Sequence, residues 1–264
     1  MTICFPFFKL SPRPRRPQPG NHTNRRYQVQ DSHKVPPASI GLQTKRIPWS
    51  GKRQISAVYG SFPDKNPSDS TAVVIAHGAR KSMSSLLISF FHVEMARRGF
   101  FKVKFNFPYM EAKFRLTRTP NPKEVLVECY RKVLDEVMSR QRPENLVIGG
   151  LSMGAAVASH VVADKPGRND VDGLYYLSYP IHRPGRPEEL GVKHLSQISK
   201  PMLFISGTRD PNARPDQMED LVSKLGPKAS LHTVEGTDHS FNPRMGVRST
   251  SRGLMVPQLF WKTG

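Results

Sequence analysis

The stretch NLVIGGLSMGAAVASHVV, Asn145 to Val162, limits the fold more than any other part of this chain. An aliphatic run ends in two glycines, a single hydroxyl follows at Ser152, and small residues then continue too long for a loop. The pattern predicts a buried strand turning sharply into a helix, with Gly150-Leu151-Ser152-Met153-Gly154 at the junction. Glycines let the two elements approach closely. The serine backbone is forced into a strained conformation, and its hydroxyl projects from the sheet in front of a helix amino terminus. Ser152 is therefore expected to be an exposed nucleophile. The plainer reading is a small-residue turn that only packs a helix on a sheet.

The flanking sequence supplies the context such a junction needs. TAVVIAHG reads as a strand buried on both faces, SMSSLLISFFHVEMARRG as a helix stopped by a basic last turn and Gly99, and FFKVKFNFPY as a strand ended by Pro108. NPKEVLVECYRKVLDEVMSR is an amphipathic helix with Asn121 as its cap and Pro122 in its first turn. DGLYYLSYP, PMLFISGT and ASLHTVEG read as strands and RPDQMEDLVSKLG as a helix. RQISAVYGSFP is expected as an edge strand, and IHRPGRPEELGVKHLSQIS as a long loop placed to cover a site. This alternation predicts an α/β domain with a doubly wound, mainly parallel sheet flanked by helices. Ligands of such sheets bind at the carboxyl ends of the strands.

Charge is spread unevenly. Of the net +19, about half falls between Met1 and Arg53, where about eleven Lys and Arg face one acid, Asp31, among frequent prolines. Residues 1–52 are thus expected to form a basic, Pro/Arg-rich, disordered tail and 53–264 the folded domain. Such a tail is read as an extension without a role, an organelle leader, or an arm for nucleic acid. The domain itself is not expected to bind nucleic acid, and its oligomeric state is left open.

No run approaches the roughly 18 apolar residues of a membrane span, and MTICFPFF lacks the charged start of a secretory signal. A cytoplasmic location follows as the expectation. Cys4 and Cys129 form neither a disulfide framework nor a metal-ligand spacing, and Cys129 is read as a core residue. With no dinucleotide fingerprint, P-loop or His/Cys cluster, neither a cofactor nor a metal is expected.

A serine hydroxyl is a weak nucleophile at neutral pH, so Ser152 requires a histidine base and an acid that orients it. In the order serine, acid, histidine, Asp210 follows the strand MLFISGT and His239 follows the last strand. Asp238 is the rival acid. The oxyanion formed on attack needs two backbone N–H donors, for which Met153 and Ala79 are the candidates, with Gly78 beside them. His77 is read as holding the HGAR turn, with a second base as the alternative. Gly78, Arg80 and Tyr109 are candidate substrate contacts. Lys81, like Arg80, is read as holding an anionic substrate or as facing solvent, Glu111 as lining the pocket, and His182, Arg183 and Arg186 as binding an acidic group or as simply solvated.

The motifs IAHGA, FNFPYME, VIGGLSMG, LSYPIHRPGRPEELGVKHL, ISGTRDP and DHSFNPR, taken in order, resemble the α/β-hydrolase superfamily, dienelactone-hydrolase-like branch. More narrowly, the chain is similar to bacterial hydrolases related to the hydrolase-like domain of the eukaryotic NSL chromatin-complex subunit and of a testis-expressed protein. The resemblance implies a minimal fold without a large cap domain, and a hydrolase using Ser152, Asp210 and His239. Two departures stand out: Leu151 occupies a position where that group often has lysine, and RMGVRSTSRGLMVPQLFWKTG offers only a short apolar piece in place of a final helix. The resulting expectation is a serine hydrolase acting on carboxylic esters or related small acyl compounds through an acyl-enzyme. The alternative is a non-catalytic scaffold that keeps the fold.

Overall fold

Runs as uniformly apolar as TAVVIA and GLYYL are stable as strands only when both faces of their sheet are covered. In the computed structural model, which describes residues 41–61, 71–111, 121–164, 170–183 and 185–243, this is what they find. Strands β1 (Gly41–Ser50), β2 (Arg53–Ser61), β3 (Thr71–Ala76), β4 (Phe101–Phe105), β5 (Asn145–Leu151), β6 (Gly173–Leu177), β9 (Met202–Gly207) and β10 (Ala229–Val234) form one sheet in the order β1-β2-β4-β3-β5-β6-β9-β10. From β4 to β10 every pairing is parallel; β1 and β2 are antiparallel additions.

Helices α3 (Lys123–Gln141), α4 (Met153–Ala163) and α5 (Pro215–Leu225) cover one face, through Val133, Val157, Val161 and Met218 among others. Helix α1 (Leu86–Arg97) covers the other with Ile88, Phe91 and Met95. The expected α/β, doubly wound and mainly parallel sheet is therefore observed. Helix α4 is apolar apart from Ser159 and His160 because it is largely enclosed by β3, β5, β6 and α3. Cys129 lies in the core, where burial pushes its thiol well up. No described helix is long and apolar enough to cross a membrane.

Four local expectations are corrected. The boundary placed after residue 52 falls inside the sheet, because Gly41–Ser50 pairs along β2 and buries Ile47. The edge is thus β1, not the strand RQISAVYGS, and Pro48 fits there because an edge position needs no ladder N–H. Asn121 does not cap α3. Pro122 occupies that position without a side-chain cap, while Asn121 Oδ1 accepts the backbone N–H of Tyr109 at 3.0 Å. The long loop after β6 contains a small hairpin, β7 (His182–Arg183) and β8 (Arg186–Leu190), tied down where Gly191 N–H donates to Ile181 O. Residues 1–40 of the basic segment, with Cys4, and the chain from 244 to 264 lie outside the described residues.

Candidate active site

The chain leaves β3 toward β4 on one side and returns to β5 on the other, so the ends of β3 and β5 flank a switch in winding direction. Their register, Ala76 opposite Gly150, brings the HGAR turn beside Ser152. Crevices at such switch points bind ligands. Here a cavity of about 840 Å³ opens, lined by Gly78, Ala79, Ser152, Met153, Asn212 and His239 among others.

Ser152 sits between β5 and α4 with φ 52° and ψ −115°, a left-handed φ that costs a non-glycine residue energy. Its N–H is held by Leu177 O at 2.8 Å. The flanking glycines make the turn feasible by allowing close approach. A Cβ on Gly150 would lie 2.5 Å from the carbonyl carbon of Gly154, and one on Gly154 would lie 2.5 Å from Ala76 O. Met153 begins α4, where amides have no intrahelical acceptor and the helix dipole is positive.

Across the cavity, the loops after β9 and β10 are laced together. Thr208 N–H donates to Val234 O, Arg209 N–H to Thr237 O, and Gly236 N–H to Thr208 Oγ1. This places Asp210 Oδ2 2.7 Å from His239 Nδ1, while His239 Nε2 lies 2.8 Å from Ser152 Oγ. Asp210 is 2% exposed, and its other oxygen accepts the Asn212 N–H at 2.9 Å. With Asp210 ionised, the imidazole proton belongs on Nδ1, leaving the Nε2 lone pair to receive the serine proton. The arrangement can transfer a proton from Ser152 and stabilise the imidazolium that results.

Asp238 is otherwise engaged. Its carboxylate accepts the Ser240 and Asn242 backbone amides and the Asn242 side chain. Burial raises its pKa, but these hydrogen bonds and Arg209 outweigh that and hold it below the usual carboxylate range.

Of the other expected contacts, Gly78, Ala79, Lys81, Met153 and His182 line the cavity; Arg80 and Tyr109 do not. Arg80 is exposed with φ 57°. Tyr109, on the short helix α2 (Pro108–Glu111), is 3% exposed beneath the turn, where burial pushes its hydroxyl up to about 12 against a hydrogen bond from the Arg80 backbone. Glu111 binds Ser56 and Arg46. Arg186 pairs with Glu189 on the hairpin, and the Arg183 side chain lies outside the description. His77 is fully buried: Nδ1–H donates to Gly78 O at 2.8 Å and Nε2 accepts Phe107 N–H at 3.1 Å. Burial lowers its pKa to about 4, despite the Gly78 hydrogen bond.

Asn212, Pro180, Leu190 and Ser240, together with Ala156, Glu189 and Gly191, line the walls without having been anticipated. Only Asn212 carries a local signal, the Asp-x-Asn turn in which its N–H binds Asp210. Among the described residues no three His, Cys, Asp or Glu side chains gather as a metal site.

Residues 69–256 match the family described as an alpha/beta hydrolase domain, and the chain belongs to that family. Solved structures share the fold at low identity. Est1E from Butyrivibrio proteoclasticus is 15% identical, with 75% of this chain and 91% of that one covered at a TM-score of 0.61. An α/β serine hydrolase without a lid from Xanthomonas campestris is 18% identical over 79% and 89% of the two chains, at 0.58. A putative dienelactone hydrolase from Klebsiella pneumoniae is 13% identical over 76% and 88%, at 0.61.

Proposed function

We propose that this α/β-hydrolase family member is a serine hydrolase of carboxylic esters or related small acyl compounds, working in the cytoplasm. The observation that carries the reading is the unbroken chain from buried Asp210 through His239 to Ser152, at 2.7 and 2.8 Å. Ser152 Oγ attacks the acyl carbon as His239 Nε2 takes its proton, and Asp210 orients the ring and balances its charge. The Met153 and Ala79 amides receive the oxyanion. Collapse expels the alcohol, protonated by His239, and water then repeats the cycle on the acyl-enzyme. The walls are mainly aliphatic and small, formed by Leu151, Met153, Ala156, Pro180 and Leu190, which suits an acyl or alcohol group of modest size.

A fluorophosphonate probe tests the reading. The expected result is one adduct, located on Ser152 by mass spectrometry and abolished in both Ser152→Ala and His239→Ala. A folded wild-type protein that remains unlabelled overturns it, and the non-catalytic scaffold becomes the better account.

A further inference from the structure

An oxyanion hole depends on where its backbone N–H groups point, and the turn that carries one of the two, Ala79, is held from beneath by an element outside the cavity. The Gly78 carbonyl receives His77 Nδ1–H at 2.8 Å, Lys81 N–H at 3.2 Å and the Tyr109 hydroxyl at 3.4 Å. The Arg80 backbone amide acts on the same hydroxyl, lowering its pKa against the effect of burial. The hydroxyl therefore lies beneath Ala79, bonded to the carbonyl of the peptide group before it. In a trans peptide the C=O of one residue and the N–H of the next point in opposite directions. Fixing the Gly78 carbonyl on the buried side thus turns the Ala79 N–H toward the cavity that Ala79 shares with Ser152.

The grip is itself rigid. Tyr109 is anchored through its own N–H on Asn121 Oδ1, its ring lies nearly parallel to Phe107 at 6.5 Å, and it meets His77 edge-on at 5.8 Å. Arg80 keeps its left-handed φ of 57° within this frame.

We propose that Tyr109 is a positioning residue for the oxyanion, acting through the Ala79 amide and assisted by His77. This rests on the hydrolase reading above. Because an amide must already point at the oxyanion before the charge develops, the hydroxyl contributes to the transition state and little to ground-state binding.

Tyr109→Phe keeps the ring and removes the grip. The expected result is a fall in kcat of about tenfold, smaller than the 10²–10³ for deleting a donor outright, with KM within about twofold. Affinity for a phenylboronic acid, which forms a tetrahedral anion on the serine, should fall by the same factor as kcat/KM. The melting temperature should change little. In a second pair, His77→Asn, which retains an N–H for the Gly78 carbonyl, should keep more kcat than His77→Ala. Unchanged kcat and boronate affinity in Tyr109→Phe overturn the proposal, as does a loss seen only in KM. A wild-type protein that neither labels nor hydrolyses esters overturns the hydrolase reading and this inference with it, whereas a labelled wild type with an indifferent Tyr109→Phe overturns this inference alone.

Discussion

Two turns at the carboxyl end of the sheet each carry a histidine, and they use it in opposite ways. After β3, His77 is sealed in the core and spends both ring nitrogens on backbone groups of Gly78 and Phe107. After β10, His239 is about one-quarter exposed and spends its nitrogens on a carboxylate and a hydroxyl. A ring bonded only to backbone gains nothing from changing protonation state. One suspended between an acid and an alcohol has somewhere to take a proton from and a charge to balance it. The difference separates support from chemistry by partner type, without appeal to which histidine lies nearer the cavity.

The sharpest way to break that comparison is to change the partner of the second histidine. Asp210→Asn should preserve the packing but favour the wrong imidazole tautomer, lowering kcat by about 10⁴. Asp238→Asn, whose carboxylate serves its own loop, should leave kcat/KM within about threefold on the same principle that bonds away from reacting atoms matter little. Ester hydrolysis by the two variants decides the matter: equal losses would show that the loop, and not the Asp210 contact, governs His239.

The first histidine is tested by proton linkage. Its folded pKa of about 4 lies below the ordinary 6.5, so the unfolded chain binds a proton that the folded one refuses. The stability from burying the neutral ring is complete above about pH 6.5 and is lost as pH falls toward 4. His92 and His194 are shifted downward by burial in the same sense, to about 3 and about 4. In His77→Gln the slope of unfolding free energy between those pH values should therefore shrink by about one proton and not vanish. Urea unfolding at several pH values measures it, and an unaltered slope would mean that His77 is protonated in the fold.

The meeting of Ser152, Asp210 and His239 was legible in the sequence, and the supporting half of this comparison much less so. Ser152, Asp210 and His239 each follow the end of a strand, where chain order alone predicts their meeting. The place of Ala79 on the cavity wall was reachable for the same reason. Tyr109 was recognisable as an aromatic after a strand, but its direction depends on α2 and on Asn121, whose amide serves Tyr109 in place of the helix it precedes. Strand β1 was hidden because an edge strand that fully buries only Ile47 has almost no hydrophobic pattern, and its Lys45 and Arg46 merge with the basic segment before it. Local sequence reports what an element is made of; it does not report which neighbour will use its polar atoms.

The smallest effects should separate the side chains of the β3 turn. Lys81 lines the cavity and Arg80 does not, although both are exposed cations beside Ala79. For an ester bearing a carboxylate, Lys81→Ala should raise KM about two- to fivefold, the scale of one solvent-exposed charge pair. Added salt should shrink that difference. Arg80→Ala retains the left-handed backbone and removes only a side chain directed elsewhere, so kcat/KM should stay within about twofold for charged and neutral esters alike. A larger loss in Arg80→Ala than in Lys81→Ala would show that the turn reorients when substrate binds. The Tyr109 hydrogen bond to the Gly78 carbonyl would then have to release during turnover.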